Sequence, residues 1–321
     1  MISLEDFYSN MYDIEGLTHL SKRPKSTDET IISVERLVTE NKCTEAKNII
    51  RSVLDRKQVP ELVMILDALL IKDKIFKAYY DDNRYDSNSP KRCALDEVSE
   101  YTGESDEVLL KKILVELPVK ESWDKIAPDP DKKDDVDNFY MVTDAYIYEL
   151  MAANHIIQTL YSYHLLADKM LSLDIKDIMD YGGGAGTLCI LFKEYGYDVD
   201  YADLPGKTFD FASWRFKRRG YSIPAIDLKS QGIGNYDCII CTEVFEHLVD
   251  PEELLKIFRG KISKGKYLVI SESCEYTDDF SSHLLSNRKY GGSNFLKLMR
   301  RYGFSQIKVD PQIPQQIFKK D

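Results

Sequence analysis

Four side chains that can bind a divalent metal or move a proton stand in two short segments late in the chain. Glu243, Glu246 and His247 directly follow an apolar run over 236–242 that is typical of a strand buried on both faces. If a helix begins there, the three side chains fall at i, i+3 and i+4 and lie on one face. His283 follows the next predicted strand, whose end opens at the same edge of a parallel sheet. We therefore expect these four residues to form a catalytic cluster.

This cluster could do its chemistry with or without a metal ion. Carboxylates favour Mg²⁺ or Mn²⁺, whereas two imidazoles shift the preference toward Mn²⁺, Fe²⁺ or Zn²⁺. Without a metal, His247 or His283 could act as a general base. In a third, purely structural interpretation, Glu243 and Glu246 favour the N-terminus of a helix while His247 makes an ordinary hydrogen bond. The residue types leave all three interpretations open.

A glycine-rich segment upstream predicts a ligand-binding loop. It lies between an apolar run over 175–181 and a helical run over 187–195, so a strand enters the loop and a helix leaves it. Such a loop brings the backbone close to a ligand and aims the positive end of the helix at it. The spacing is G-x-G-x-G, in which no register gives the G-x-G-x-x-G of dinucleotide binders. The three glycines are Gly182, Gly184 and Gly186.

The acid before these glycines identifies the kind of ligand. Asp180 would repel a pyrophosphate, but it would attract an ammonium or a sulfonium group. S-adenosylmethionine (SAM) carries both, together with a carboxylate that a helix N-terminus can receive. The loop resembles the first motif of the class I SAM-dependent methyltransferases, acid-x-G-x-G-x-G, and the resemblance implies SAM as the cofactor.

Two further acids end the next two predicted strands. Asp203 ends the run 198–203, 23 positions after Asp180, where a parallel nucleoside-binding unit places the carboxylate that accepts the ribose hydroxyls. Asp227 ends the run 221–227, and the resemblance makes it a partner of the adenine amino group. The full set of residues expected to bind the cofactor is Asp180, Gly182, Gly184, Gly186, Asp203, Leu204, Asp227, Thr242, Glu243, Tyr140 and Tyr146.

Strand and helix patterns alternate from about residue 177 to residue 318, which predicts an α/β, doubly wound, mostly parallel sheet. The resemblance implies seven strands, the last of them antiparallel. We expect a SAM-binding domain over 136–321 and an all-helical N-terminal domain over 1–135, with the charged loop 128–135 at the boundary. Helical patterns cover 28–40, 44–55 and 60–77.

A long helix, with a possible break, is predicted over 139–172. In the class I methyltransferases the segment before the first strand commonly folds over the cofactor. The resemblance therefore makes Tyr140, Tyr146 and Tyr148 candidates to line the methionine end of the cofactor or the acceptor, although aromatic residues at helical spacing also suit a core. The basic run 215–219 is interpreted as a solvated helix face.

The composition of the chain indicates which binding partners and which cellular compartment to expect. The chain has 43 Lys+Arg against 54 Asp+Glu, a net charge of −11, so nucleic acid is not expected as a partner. Its six cysteines form no disulfide framework, and we expect Cys238 and Cys241, which point to opposite faces of a strand, to pack in the core. The sequence contains no long apolar stretch. We expect a soluble, cytoplasmic protein of unknown oligomeric state that does not insert into membranes.

The Glu-x-x-Glu-His pattern resembles that of the ubiquinone-biosynthesis O-methyltransferases and of the small-RNA 2′-O-methyltransferases. We therefore expect an enzyme that methylates a small molecule at oxygen, with a divalent metal such as Mg²⁺ or Mn²⁺ as an additional cofactor. One alternative is a protein, peptide or carrier-bound acceptor that docks on the helical N-terminal half. Another is a non-catalytic SAM-binding sensor, whose hallmark would be the loss of the glycines or of Asp203, all of which are present.

Overall fold

The computed structural model describes residues 94–105, 108–109, 112, 118–154, 157–276, 281–309 and 313–321. The helices predicted over 28–40, 44–55 and 60–77 lie outside these ranges. Residues 118–150 and 161–321 form one compact unit, and every site contact described below lies within it. The other unit comprises residues 1–117 and 151–160. The expected domain boundary after residue 135 stays a prediction.

In the part of the chain that the structure describes, five helices precede the sheet. The segment predicted as a long helix over 139–172 is interrupted at Thr143, which is extended and whose Oγ1 accepts a hydrogen bond from the Ala145 N–H at 3.2 Å. Thr143 is the C-cap residue of the preceding helix, and a hydroxyl that bonds to the backbone two residues ahead favours such a turn over a continued helix. The helices are α1 (Ala94–Thr102), α2 (Pro118–Ile126), α3 (Lys133–Val142), α4 (Ala145–Asn154) and α5 (Ile157–Leu171).

The sheet has seven strands in the order β3-β2-β1-β4-β5-β7-β6, which confirms the predicted fold class. The first five strands pair in parallel, and β7 runs antiparallel to both β5 and β6. From β1 the chain proceeds to β2 and β3 on one side of the sheet, and β4 and β5 follow on the other side. A ligand cleft opens at such a switch, here between β1 and β4, beyond the carboxyl ends of the strands. The strands are β1 (Asp177–Tyr181), β2 (Asp198–Asp203), β3 (Ala225–Asp227), β4 (Tyr236–Thr242), β5 (Ile262–Ser271), β6 (Phe304–Gln306) and β7 (Gln316–Lys320).

Helices connect the strands, and a side-chain cap marks the start of the one that follows β4. The helix after β4 starts with Pro251 at its first turn, and the Asp250 carboxylate accepts the Glu253 N–H at 3.1 Å as its N-cap. The four connecting helices are α6 (Thr187–Glu194), α7 (Lys207–Arg218), α8 (Pro251–Lys261) and α9 (Ser293–Arg301).

The core fills the space between these helices and the sheet. Its largest cluster is aromatic, with Phe245, Phe258 and Phe295 fully buried. Cys238 and Cys241 are buried in β4 as free thiols, which fits their predicted packing role. Among the described helices, none combines the length and the apolar character needed to cross a bilayer.

Candidate active site

The glycine loop leaves β1 with a backbone that only glycine suits. Gly182, Gly184 and Gly186 have φ values of +69°, +53° and +74°, in the left-handed region that side chains disfavour. Space is also short, since a Cβ on Gly182 would lie 2.4 Å from Val244 and one on Gly184 would lie 2.6 Å from Leu150. The loop therefore depends on its glycines for conformation and for close packing.

Asp203, at the end of β2, is hydrogen-bonded directly to this loop. Its Oδ2 accepts the Gly184 N–H at 2.8 Å and its Oδ1 accepts the Leu204 N–H at 2.7 Å. The Tyr201 hydroxyl, whose single proton is shared with the Gly184 carbonyl, makes a longer contact with Oδ2 at 3.3 Å. Burial raises the pKa of Asp203 above its usual value, and these three contacts oppose that rise. Each carboxylate oxygen has more than one lone pair, so Asp203 can hold the loop and still accept a ligand hydroxyl.

Asp180 lies behind the loop rather than on the surface. It is 1% exposed, and its Oδ2 accepts a hydrogen bond from the Cys189 thiol at 3.3 Å. Burial, together with the nearby charge of Asp203, raises the pKa of Asp180 to about 7. Near neutral pH this carboxyl is therefore poised between its two protonation states.

The raised pKa of Asp180 predicts a specific pH dependence of stability. Because the folded chain holds this proton up to about pH 7 and the unfolded chain releases it near 3.8, the contribution of Asp180 to stability falls as pH rises between these values. Asp180→Asn removes the buried charge. We measure the free energy of unfolding by urea titration at several pH values. Between pH 4 and pH 8 we expect its value for this variant to rise by a few kcal/mol relative to that of the wild type. A stability difference that does not change with pH would contradict the assignment.

Asp227, at the end of β3, lies directly opposite Asp203 in the parallel register. Its side chain bonds to its own loop, accepting the Ser230 hydroxyl at 2.7 Å and the Lys229 N–H at 2.8 Å. The Ser230 bond is the main reason that the pKa of Asp227 lies below its usual value. Asp227 thus shares the sheet edge with Asp203, while its contact with adenine stays a prediction.

The segment after β4 does not start a helix. Glu243 has φ +52°, and its N–H still bonds to the Ser271 carbonyl of β5 at 3.2 Å, as a strand would. A single 3₁₀ turn follows over Phe245–His247, and α8 begins only at Pro251. The condition for placing Glu243, Glu246 and His247 on one helical face is therefore not met. The exposed Glu243 carboxylate is hydrogen-bonded to Ser273 instead.

Glu246, His247 and His283 come together at this edge. One ligand atom of each lies within 4.8 Å of those of the other two, and the two imidazole rings meet edge to face with centroids 4.7 Å apart. Glu246 is fully buried, and within the described ranges neither of its carboxylate oxygens makes a hydrogen bond. Burial and the charge of Glu243 raise its pKa well above the usual value. A buried acid without hydrogen bonds suits a proton or a cation.

The orientation of His247 follows from its partner. Its Nδ1 lies 3.0 Å from the Ser282 carbonyl oxygen, which can only accept, so Nδ1 carries the proton in the neutral ring. The lone pair is then on Nε2. Burial lowers the pKa of His247, which keeps the ring neutral near pH 7. A neutral imidazole held in one tautomer can serve as a base or as a metal ligand.

Two of the three tyrosine candidates cover the histidines. The ring of Tyr140 lies 5.7 Å from that of His247 and 5.4 Å from that of Tyr146. The Tyr146 hydroxyl donates to Ser282 Oγ at 3.1 Å, which ties α4 to the residue before His283. Tyr148, in contrast, is buried. The segment from α3 to α4 therefore contacts the histidine cluster through Tyr140 and Tyr146, whereas its contact with the cofactor or the acceptor stays a prediction.

Thr242 and Tyr201 also lie at this edge of the sheet. Thr242 ends β4 and pairs with Ser271 of β5. Tyr201 was not singled out from the sequence, yet its hydroxyl donates to the Gly184 carbonyl at 2.8 Å and its ring fills the space beside Gly183. The available signal was its position two residues before Asp203, because alternate residues of a strand share a face.

Residues 152–309 match the protein family described as a methyltransferase domain. The chain is 27% identical over 105 residues to a ubiquinone biosynthesis O-methyltransferase of Bordetella avium, covering 31% of this chain and 44% of that protein. It is 25% identical over 108 residues to the enzyme of the same name from Coxiella burnetii, covering 32% and 46%. The chain thus spans less than half the length of these relatives.

Solved structures of methyltransferases also resemble the chain. An S-adenosylmethionine-dependent methyltransferase from Clostridium acetobutylicum matches with a TM-score of 0.41 at 12% identity, covering 55% of this chain and 97% of that one. The N-methyltransferase NodS from Bradyrhizobium japonicum, in complex with S-adenosyl-L-homocysteine, matches with a TM-score of 0.39 at 14% identity, covering 51% and 88%.

Proposed function

Because residues 152–309 form a methyltransferase domain of the class I, SAM-dependent kind, we propose that the chain transfers the methyl group of SAM to an oxygen atom of a small-molecule acceptor. The observation that carries the proposal is a shared sheet edge. A glycine loop bonded to Asp203 opens there beside a cluster of one buried acid and two histidines. The first arrangement suits the cofactor, and the second suits a hydroxyl that must lose its proton.

The cofactor-binding half of the proposal assigns a role to each acid. Asp203 would accept the two ribose hydroxyls while holding Gly184, and Asp227 would accept the adenine amino group. Asp180 would attract the ammonium and sulfonium charges from behind the loop. The N-terminus of α6 would receive the carboxylate. The support is the common placement of these groups at the ends of β1, β2 and β3.

The transfer itself is an in-line displacement. The acceptor oxygen forms a bond to the methyl carbon, the carbon–sulfur bond breaks, and its electron pair returns to sulfur, leaving a neutral thioether. The acceptor proton passes to a base, for which Nε2 of His247 and the imidazole of His283 are the candidates. Holding the two reactants in near-attack geometry supplies much of the rate. A positioned base adds typically about 10² to 10⁴.

We further propose that the same cluster can hold a divalent metal. Glu246, His247 and His283 offer one oxygen and two nitrogens, a donor set that suits Mn²⁺, Fe²⁺ or Zn²⁺. The Glu246 carboxylate fits the role because it is buried and, among the described residues, forms no hydrogen bond. Bound there, a cation would lower the pKa of a coordinated hydroxyl. Glu243 would contribute through its charge beside Glu246.

The acceptor is proposed from the surroundings of the two histidines. The rings of Tyr140 and Tyr146 lie beside the two histidines and offer an aromatic surface there. Such a surface suits a compact molecule. The similarity to proteins named ubiquinone biosynthesis O-methyltransferase, at 25% and 27% identity over about a third of the chain, favours oxygen as the methylated atom.

The proposed function is tested by following methyl transfer from isotopically labelled SAM. The whole chain is incubated with separate pools of phenolic and catecholic small molecules, amines, and cell-derived peptides, each with and without added Mn²⁺. We expect labelled product in the hydroxyl-bearing pools, in step with S-adenosylhomocysteine release. Label in the peptide pool alone would contradict the small-molecule proposal. Binding of SAM with no transfer in any pool would favour a non-catalytic sensor.

A further inference from the structure

Arg215 is a buried cation in a run whose sequence predicts a solvated face. It lies in α7 and is only 1% exposed, whereas the neighbouring Lys217 is exposed. The interpretation of 215–219 as a uniformly solvated basic face is therefore wrong at its first residue. Burying a guanidinium costs several kcal/mol unless other groups compensate it. We therefore asked which contacts of Arg215 offset this cost and what they hold in place.

The contacts of Arg215 lead to the glycine loop. Its Nη1 donates to the Ala185 carbonyl inside the loop and to the Thr187 hydroxyl at 3.1 Å, at the first turn of α6. Its guanidinium lies 5.7 Å from the centre of the Phe211 ring, which packs it from the helix side. Arg215 thus joins the last part of the loop to the start of the helix that follows it.

The helix α6 has no side-chain cap, and Arg215, which can only donate, holds the loop carbonyl and the Thr187 hydroxyl beside its first turn. The N-cap residue is Gly186, whose φ of +74° suits the turn but which has no side chain to hold the first turn of the helix. On the other side of the loop, the Tyr201 hydroxyl holds the Gly184 carbonyl at 2.8 Å. Because each peptide unit is planar and trans, fixing these two carbonyls also fixes the directions of the Ala185 and Gly186 N–H groups. The Gly186 N–H already donates to the Gly183 carbonyl at 2.9 Å, which fixes the loop further.

Arg215 also brings charge to the same place. A guanidinium keeps its positive charge even when buried, and its attraction for an anion is stronger in a low-dielectric interior than in water. This charge adds to the partial positive charge at the N-terminus of α6. An incoming carboxylate would therefore meet fixed amides and a fixed positive field at the junction of loop and helix.

Resting on the proposed function, we propose that Arg215 is the positioning residue for the amino-acid end of the cofactor. It holds the loop and the N-terminus of α6 in the form that receives the carboxylate. The role is selective, because the ribose and adenine are assigned to Asp203 and Asp227, on separate strand ends. Loss of Arg215 should therefore weaken ligands that carry the amino-acid group and spare those that lack it.

The test compares two ligands by calorimetric titration into the whole chain. S-adenosylhomocysteine carries the amino-acid carboxylate, whereas methylthioadenosine keeps the nucleoside and the sulfur but lacks it. For Arg215→Met we expect the Kd of S-adenosylhomocysteine to rise about tenfold or more, since the lost bonds are charge-assisted, while the Kd of methylthioadenosine changes less than about twofold. Arg215→Lys should restore part of the loss, because it returns the charge without the planar donor pair.

Lys217→Met is the matched control, since it removes a cation from an exposed position of the same helix, and it should bind both ligands like the wild type. Equal weakening of both ligands in Arg215→Met, or no weakening, would overturn the positioning role. If Arg215→Met does not fold, the same two titrations are made with Arg215→Lys. If that variant binds both ligands with the Kd values of the wild type, the positioning role is overturned. A wild-type chain that binds neither ligand would overturn the proposed function itself, which is a distinct result.

Discussion

Replacing Asp203 with asparagine is expected to weaken SAM binding by roughly a hundredfold or more. The carboxylate is assigned two charge-assisted bonds to the ribose, each worth about 1.5–3 kcal/mol. It also accepts the N–H groups of Gly184 and Leu204 with its two oxygens. An amide has one oxygen, so in either rotamer its NH₂ faces one of these N–H groups, and the glycine loop loses a hydrogen bond as well. Calorimetric titration of SAM measures the change.

Asp198→Asn provides the control. Asp198 lies at the opposite end of β2, its side chain is 89% exposed, and its contact with Lys193 is a 3.6 Å surface ion pair. Such pairs contribute little to stability, so this variant should bind SAM like the wild type. If Asp203→Asn kept wild-type affinity while folded, the assignment of the ribose to the end of β2 would be wrong.

Replacing His283 with alanine is expected to lower turnover sharply and leave the Kd of SAM nearly unchanged. His283 lies with Glu246 and His247 in the cluster proposed to act on the acceptor, whereas the acids proposed to hold the cofactor lie at the ends of β1, β2 and β3. A base or a metal ligand acts on the acceptor hydroxyl, so its removal costs rate rather than cofactor affinity. We expect a loss of about 10² to 10⁴ in kcat, measured with the acceptor identified by the labelled-SAM assay.

Ser282→Ala is the neighbouring control for His283. It removes the hydroxyl that Tyr146 bonds but keeps the carbonyl that orients His247, so most of the activity should remain. Added Mn²⁺ distinguishes a metal ligand from a general base at position 283. If Mn²⁺ raises the turnover of the wild type but not that of His283→Ala, His283 is a metal ligand. If Mn²⁺ changes the turnover of neither protein, His283 is a base. Equal losses of turnover and SAM affinity in His283→Ala would exclude the catalytic assignment.

The fold could be predicted because its determinants are local and repetitive. Strands β1 and β4 lie in apolar runs, and the acids at the ends of β2 and β3 mark the edge where we propose that the cofactor binds. The break at Thr143 was harder to place, because the hydrophobic pattern continues through it and only one hydroxyl-to-backbone bond ends α3.

The candidate site was predicted in composition but not in local geometry. The periodicity of Glu243, Glu246 and His247 fits a helix, yet Glu243 stays paired with β5 and turns through a left-handed conformation. Tertiary pairing overrode local propensity there. Likewise, nothing in a basic run shows which cation points inward, and the burial of Arg215 depends on the loop carbonyl that it meets in space.

Every role proposed above requires that this sheet edge binds SAM. Equilibrium dialysis of isotopically labelled SAM against the whole chain, first in metal-free buffer and then with Mn²⁺ or Mg²⁺, measures that binding. The structure leads us to expect saturable binding in the micromolar range or tighter without any metal, since the loop and Asp203 do not depend on the histidine cluster. Absence of saturable binding under all three conditions would contradict the cofactor assignment, and the proposed methyl transfer with it.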